Sequence, residues 1–235
     1  MTARGGEAVV LCGGLGTRLR GHDAGRPKAL VPVGGRPFLA WQLDWLRRLG
    51  VGRAILAAGF RADQIEDWLR DTGPQPVDVL VVTEPRALGT AGAVRHLLGQ
   101  VRSAGFFVTN GDTLLPGLHL EGALATPAAP AVVAAVAAET FHTGDRLRLD
   151  GDRVTALERR ATDGPAWKNG GFYSLRRDDV EAWPEGARSL ERDVFPHLAA
   201  RGELLAQRTP PPLLDMGTPE GRREMHDFLL TGRSA

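Results

Sequence analysis

At 235 residues, with 29 basic and 28 acidic side chains, the chain carries a formal net charge of +1. With its arginines spread along the sequence, that balance leaves no basic stripe for nucleic acid. The longest apolar stretch, Ala131 to Ala138, is too short to span a bilayer, and a lone cysteine excludes an internal disulfide. No apolar segment follows a basic start, so no signal peptide or membrane partner is expected, and a cytoplasmic location fits the cysteine usage.

Ala8-Val9-Val10-Leu11 reads as a buried first strand. It runs through Cys12, read as a small buried residue, into Gly13-Gly14-Leu15-Gly16-Thr17-Arg18-Leu19, with Arg26-Pro27-Lys28 beyond. Gly13, Gly14 and Gly16 permit a tight turn that points bare backbone N–H groups at an anion. Arg18 and Lys28 add full positive charges. A loop built this way binds polyphosphate. The spacing differs from the commoner phosphate loops: Leu19 stands where a dinucleotide fingerprint needs glycine, and no Lys-Ser or Lys-Thr pair supplies a P-loop. Of the 29 basic residues only Lys28 and Lys168 are lysine. A compact ammonium and a planar guanidinium are not interchangeable against crowded phosphate oxygens, so retention of Lys28 points to a phosphate contact.

Helical spacing from Phe38 to Leu49 ends at Gly50. A strand at Ala54 to Ala58, a helix at Ala62 to Leu69, a strand at Val77 to Val82, a helix from about Thr90 to Leu98 and a strand at Phe106 to Thr109 follow. Alternating strands and helices predict an α/β fold with a mostly parallel, Rossmann-like sheet covered by helices on both faces. Ligands of such sheets gather past the carboxyl ends of the strands, where the glycine loop and Asn110-Gly111-Asp112 both fall. The second half reads as a smaller mixed α/β lobe. It has a strand at Ala131 to Ala138, a hairpin across Leu147 to Val154, a strand at Gly171 to Leu175 and a helix around Leu190 to Ala200. A Pro210-Pro211-Pro212 turn and a last helix after Pro219 complete it.

Asp112 and Asp215 each follow an apolar stretch, where a carboxylate needs a compensating partner. Magnesium, which takes one or two carboxylates with waters and phosphate oxygens, would serve. An Asx turn at Asp112 and a helix-flanking acid at Asp215 are the alternatives. The six histidines show no metal spacing, and no Ser-His-Asp set can be picked out.

G-G-x-G-T-R-L followed by P-K resembles the signature of the sugar-1-phosphate nucleotidyltransferases. Glu84-Pro85, Leu88-Gly89-Thr90-Ala91-Gly92 and Lys168-Asn169-Gly170-Gly171 bring it closest to the heptose- and mannose-1-phosphate guanylyltransferase branch. The resemblance implies that residues 1–235 form one nucleotidyltransferase domain. Its nucleotide lobe would be 1–112, and its lobe 113–235 would hold the sugar and the second metal ligand. It implies Arg18, Lys28 and Asp112 as catalytic residues and Asp112 with Asp215 as Mg2+ ligands. Leu11, Gly13, Gly14, Gly16, Thr17, Arg18, Lys28, Glu84, Gly89 and Thr90 would bind the nucleotide. Glu158, Lys168, Asn169 and Gly170 would bind the sugar phosphate. The substrates would be an NTP and a sugar 1-phosphate, held by a monomer or homo-oligomer. The family's F-x-E-K-P segment is displaced here to Leu157-Glu158-Arg159-Arg160, which leaves the phosphate role open between Arg160 and Lys168. Glu84, acceptor-only when ionised, suits guanine, which offers N1–H and the N2 amino group side by side; its alternative role is to favour the start of the following helix. No hexapeptide repeat appears, so an appended left-handed β-helix is not expected. A nucleotide-sugar sensor and transfer to a non-sugar acceptor are the other readings.

Overall fold

The computed structural model describes residues 5–13, 25–122, 129–138, 144–159 and 166–231. The chain alternates first, through β1 (Gly6–Leu11), α1 (Phe38–Arg48), β4 (Val51–Ala58), α2 (Ala62–Thr72), β5 (Asp78–Thr83), α3 (Gly89–Leu97) and β6 (Gly105–Asn110). Between β1 and α1 lies a small ribbon of β2 (Pro32–Val33) and β3 (Arg36–Pro37). After β6 come β7 (Thr113–Leu114), β8 (Ala131–Ala138), β9 (Arg146–Asp150), β10 (Arg153–Glu158) and β11 (Ala166–Arg176). A π-helical turn at Leu190–Val194, a helix at Phe195–Ala200, β12 (Leu204–Thr209), β13 (Leu214–Asp215) and a helix at Pro219–Thr231 follow.

Nine of the described strands form one mixed sheet in the order β5-β4-β1-β6-β11-β8-β12-β10-β9. Neighbours from β5 to β6 run parallel, β11 is antiparallel to both β6 and β8, and β12 returns parallel to β8. Both halves of the chain therefore share a single sheet.

Burial on both faces explains the apolar runs. Ala8 and Val10 pack on one side, with α1, α2 and Met225 of the last helix; Val9 packs on the other, with α3 and the helix Phe195–Ala200. The same alternation divides Val132, Ala134 and Val136 from Ala131, Val133 and Ala135. A strand covered by helices on both faces needs apolar residues at every position, and these strands have them.

β12 has no counterpart among the expected elements, and two of the expected ones differ in the structure. β11 begins at Ala166, five residues before Gly171, because the chain bulges at Gly170-Gly171 and then resumes pairing: Asn169 pairs with Ala135 and Tyr173 with Val133. Gly171 takes a left-handed φ of +68°, and a Cβ there would lie 2.6 Å from Asn110 Nδ2. The helix expected from Leu190 starts as a π-helical turn, with Val194 N–H bonded to Ser189 O at 3.3 Å. Pro196 lacks the N–H that an α-helix would direct at the Arg192 carbonyl.

Candidate active site

The parallel pairing of β1 with β4 and β6 sets Leu11 between Ala57 and Asn110. Gly111 N–H donates to Leu11 O at 3.1 Å and Cys12 N–H to Ala57 O at 2.9 Å, so the start of the glycine loop and the Asn110–Asp112 turn lie side by side. From below, α1 holds that turn. Gln42 is fully buried, and its Nε2 donates to Asn110 O at 2.7 Å and Thr113 O at 3.3 Å. Trp45 Nε1 donates to Leu115 O at 3.2 Å.

Past the ends of these strands opens a cavity of about 430 Å³. Leu11, Gly13, Lys28, Asp112, Glu84, Gly89 and Thr90 are among the residues that line it. Lys28 forms an ion pair with Asp112 Oδ2, the two side chains being 17% and 30% exposed. Thr113 Oγ1 donates to Asp112 Oδ1 at 3.1 Å. The Glu84 carboxylate fills the space that a side chain on Gly13 would need, and its Oε2 accepts Leu88 N–H at 3.1 Å, just ahead of α3. One oxygen thus favours the helix start, as its alternative role required, while the residue still lines the cavity. Burial, with Asp112 and Glu84 adding to it, pushes the Cys12 thiol up to about 12. It stays protonated, and a protonated buried thiol is neither nucleophile nor ligand.

A second cavity, about 340 Å³, lies across Asn110 and Glu191, which line both. Lys168, Asn169, Gly170 and Asp215 line it. The ammonium of Lys168 has no ion pair among the described residues, although it is partly buried. Asp145, Glu220 and Glu224 add carboxylates to the lining. Asp145 is matched by Arg159 at 2.7 Å and Glu220 by Arg223 at 3.0 Å.

Pairing of β13 with β7 sets Asp215 opposite Thr113, and Met216 N–H donates to Asp112 O at 3.0 Å. Asp112, in the turn before β7, and Asp215, on β13, are therefore held on neighbouring backbone, Asp112 lining the first cavity and Asp215 the second. No group of three or more His, Cys, Asp or Glu is placed to hold a metal ion by itself among the described residues. Two carboxylates beside phosphate-sized space are what magnesium needs when substrate oxygens and waters complete its shell, so the donor set fits.

Glu158 is not brought to either cavity. It lies on β10, where Arg148 holds it at 2.7 Å and Arg146 approaches at 3.9 Å. Gly14, Gly16, Thr17, Arg18 and Arg160 lie outside the described residues. Two residues were missed in the sequence. Gln42 had a signal, a polar side chain within an otherwise apolar helical face. Glu191 had none, since two of its three partners come from other elements, α3 and β11. It accepts from Ser189 Oγ at 2.8 Å, Thr90 Oγ1 at 3.2 Å and Tyr173 OH at 3.2 Å. Burial, then the Glu191 charge, pushes the Tyr173 phenol well above its ordinary range, which keeps it a donor. Asp193 caps the same turn by accepting from Ser189 N and Arg188 N at 2.8 Å each, and these bonds hold its carboxyl below the usual range. Arg188 O in turn accepts Ala91 N–H at 3.0 Å and closes off the space a side chain on Gly89, at φ +77°, would need.

A family model described as the MobA-like NTP transferase domain matches residues 8–200. The chain belongs to the MobA-like NTP transferase family. Within it, the chain is 32% identical over 224 residues to a mannose-1-phosphate guanylyltransferase of Mycobacterium tuberculosis, covering 91% of this chain and 62% of that protein. It is 29% identical to a D-glycero-alpha-D-manno-heptose 1-phosphate guanylyltransferase of Campylobacter jejuni, over 73% of this chain and 76% of the relative. The chain thus spans about three fifths of the first of these relatives. Among solved structures, HddC from Yersinia pseudotuberculosis superimposes with a TM-score of 0.86 at 28% identity, over 95% of this chain and 99% of that one. HddC has also been solved in complex with GMP-PN. The fold extends to an inositol-1-phosphate CTP transferase of T. maritima, TM-score 0.80 at 19% identity, with full coverage of both chains. No helix among the described residues is long and apolar enough to cross a membrane.

Proposed function

We propose that this NTP transferase joins a sugar 1-phosphate of the mannose or heptose class to the nucleotidyl unit of an NTP, with GTP foremost. An oxygen of the sugar phosphate attacks the α-phosphorus, the bond from that phosphorus to the β-phosphate bridging oxygen breaks, and pyrophosphate leaves. The observation that carries this reading is the pair of adjoining cavities that share Asn110 and Glu191, one lined by Lys28 and Asp112 and the other by Lys168, Asn169 and Asp215. Two substrates that must meet at one phosphorus need two compartments with a shared border.

In this reading the larger cavity takes the nucleotide. Glu84 would read the base with Oε1, and Lys28 would shift from Asp112 to a phosphate oxygen as the anion arrives. Gly14, Gly16, Thr17 and Arg18 would be nucleotide-binding residues, as the sequence motif implies. Lys168, which has no ion pair among the described residues, would hold the sugar phosphate, and Asn169 would offer donor and acceptor to ring hydroxyls. Asp112 and Asp215 would hold Mg2+, which when bound offsets negative charge gathering on the phosphates. The names of the guanylyltransferase relatives and of the GMP-PN complex of HddC favour guanine over the other bases.

The test is a matrix of NTPs against sugar 1-phosphates, read by pyrophosphate release. GTP with a mannose or heptose 1-phosphate should give the highest kcat/KM. Absence of release with every pair would leave the chain a nucleotide-sugar sensor; release only with a non-sugar acceptor would move it to another branch of its family.

A further inference from the structure

Three hydroxyls converge on one carboxylate between the two cavities. Each has already spent a lone pair on an N–H: Ser189 Oγ accepts from Arg192 N at 3.2 Å, Thr90 Oγ1 from Leu190 N at 2.8 Å, and Tyr173 OH from Asn169 Nδ2 at 3.1 Å. A hydroxyl carries a single proton, and all three send it to Glu191. A group that only accepts satisfies this arrangement. An amide in its place would aim an N–H at a hydroxyl that already faces another donor.

The polarity travels further on the β11 side. With Tyr173 donating to Glu191, Asn169 must present its NH2 to the phenol, and its Oδ1 is left to accept Gly171 N–H at 3.0 Å. If Tyr173 reversed, Asn169 would have to turn its amide over, and the Gly171 N–H in the bulge would face a donor. On the α3 side, Thr90 is fixed between Leu190 N–H and Glu191 in the same way.

We propose that Glu191 is a positioning residue common to both substrates: it fixes Thr90 on the nucleotide side and, through Tyr173, the amide of Asn169 on the sugar side. The proposal rests on the two-substrate reading above. Its consequence is that Glu191→Gln, nearly identical in shape, is not conservative, whereas Tyr173→Phe and Thr90→Val each cut one arm.

Two measurements test it together. Amide hydrogen exchange of the ligand-free protein, resolved by NMR, should show faster exchange at Gly171 and Leu190 in Glu191→Gln, with the rest of the sheet unchanged. Steady-state kinetics should show KM for the sugar 1-phosphate raised about fivefold in Tyr173→Phe with KM for GTP unmoved, the reverse in Thr90→Val, and both raised in Glu191→Gln. Unchanged exchange at both amides, or a Glu191→Gln enzyme in which only one KM or only kcat moves, overturns the proposal. A wild-type protein inactive with every NTP and sugar phosphate overturns the functional reading instead, and the proposal falls with it; that failure is recognised because it appears before any substitution is made.

Discussion

The two cavities are of similar size but differ in how their charges are settled. In the larger one the lysine already has its counter-charge, Lys28 being paired with Asp112, and Glu84 is anchored on Leu88 N–H. In the smaller one Lys168 has no counter-charge among the described residues, while several carboxylates share the lining. The difference teaches that the first cavity is preorganised by the parallel strands β1, β4 and β6, whose ends deliver residues in fixed register. The second is assembled from a bulge, a two-residue strand and a π-helical turn, and in the proposed reading its lysine is left for the sugar phosphate.

The largest effect is expected where the cavities meet. Asp112→Ala removes a proposed metal ligand and frees Lys28, so kcat should fall by at least about a hundredfold while far-UV circular dichroism stays unchanged. Near-normal turnover of this variant would break the assignment of Asp112 to the metal. Next comes Lys28→Arg, which keeps the charge but replaces a point donor with a broad fork in a cavity whose packing is settled. Turnover should drop at least about tenfold, and kcat/KM for the NTP is the quantity to follow. Silence at this position would mean that retention of lysine has no bearing on phosphate.

A smaller change is expected at the base. Glu84→Gln should narrow the preference for GTP over UTP by up to about tenfold, since a buried polar group left unpaired costs about 1–3 kcal/mol and part of the carboxylate is already used on Leu88 N–H. Competition assays with the two nucleotides measure this; an unaltered ratio would confine Glu84 to its role at the start of α3. The smallest effect concerns Cys12. With its thiol pushed up to about 12, roughly one molecule in ten thousand carries the thiolate at pH 8. Iodoacetamide should leave activity intact there, and inactivation should quicken only as pH rises, because the thiolate fraction grows with pH. Rapid inactivation at neutral pH would contradict the settled character of this cavity.

Much of the first cavity was legible from the sequence because its elements are long and regular. The run Ala8 to Leu11, the helical spacing from Phe38 and the strand before Asn110 each carry their own period, and the residues that act sit just past them. The second cavity was legible only in its fragments. Asn169-Gly170-Gly171 could be noticed, but the glycine pair that makes the bulge also hid the first half of β11. β12, Leu204–Thr209, passed unread because its sequence, Leu-Leu-Ala-Gln-Arg-Thr, alternates weakly and its partner β8 lies far back in the chain. Glu158 pointed the other way: its place near the displaced family segment suggested the sugar, whereas the hairpin register puts it opposite Arg146 and beside Arg148. Glu191 depends on α3, β11 and the π-helical turn coming together, a juxtaposition no local pattern encodes.

The central claim, that one cavity serves the nucleotide and the other the sugar phosphate, is tested most directly at Lys168. Lys168→Ala should be compared with the wild type for its KM toward the sugar 1-phosphate and its affinity for GTP by calorimetry. Hydrogen bonds to charged groups contribute about 1.5–3 kcal/mol, so KM for the sugar phosphate should rise at least about tenfold while GTP affinity is unchanged. A loss of GTP affinity as large as the rise in KM would contradict the division.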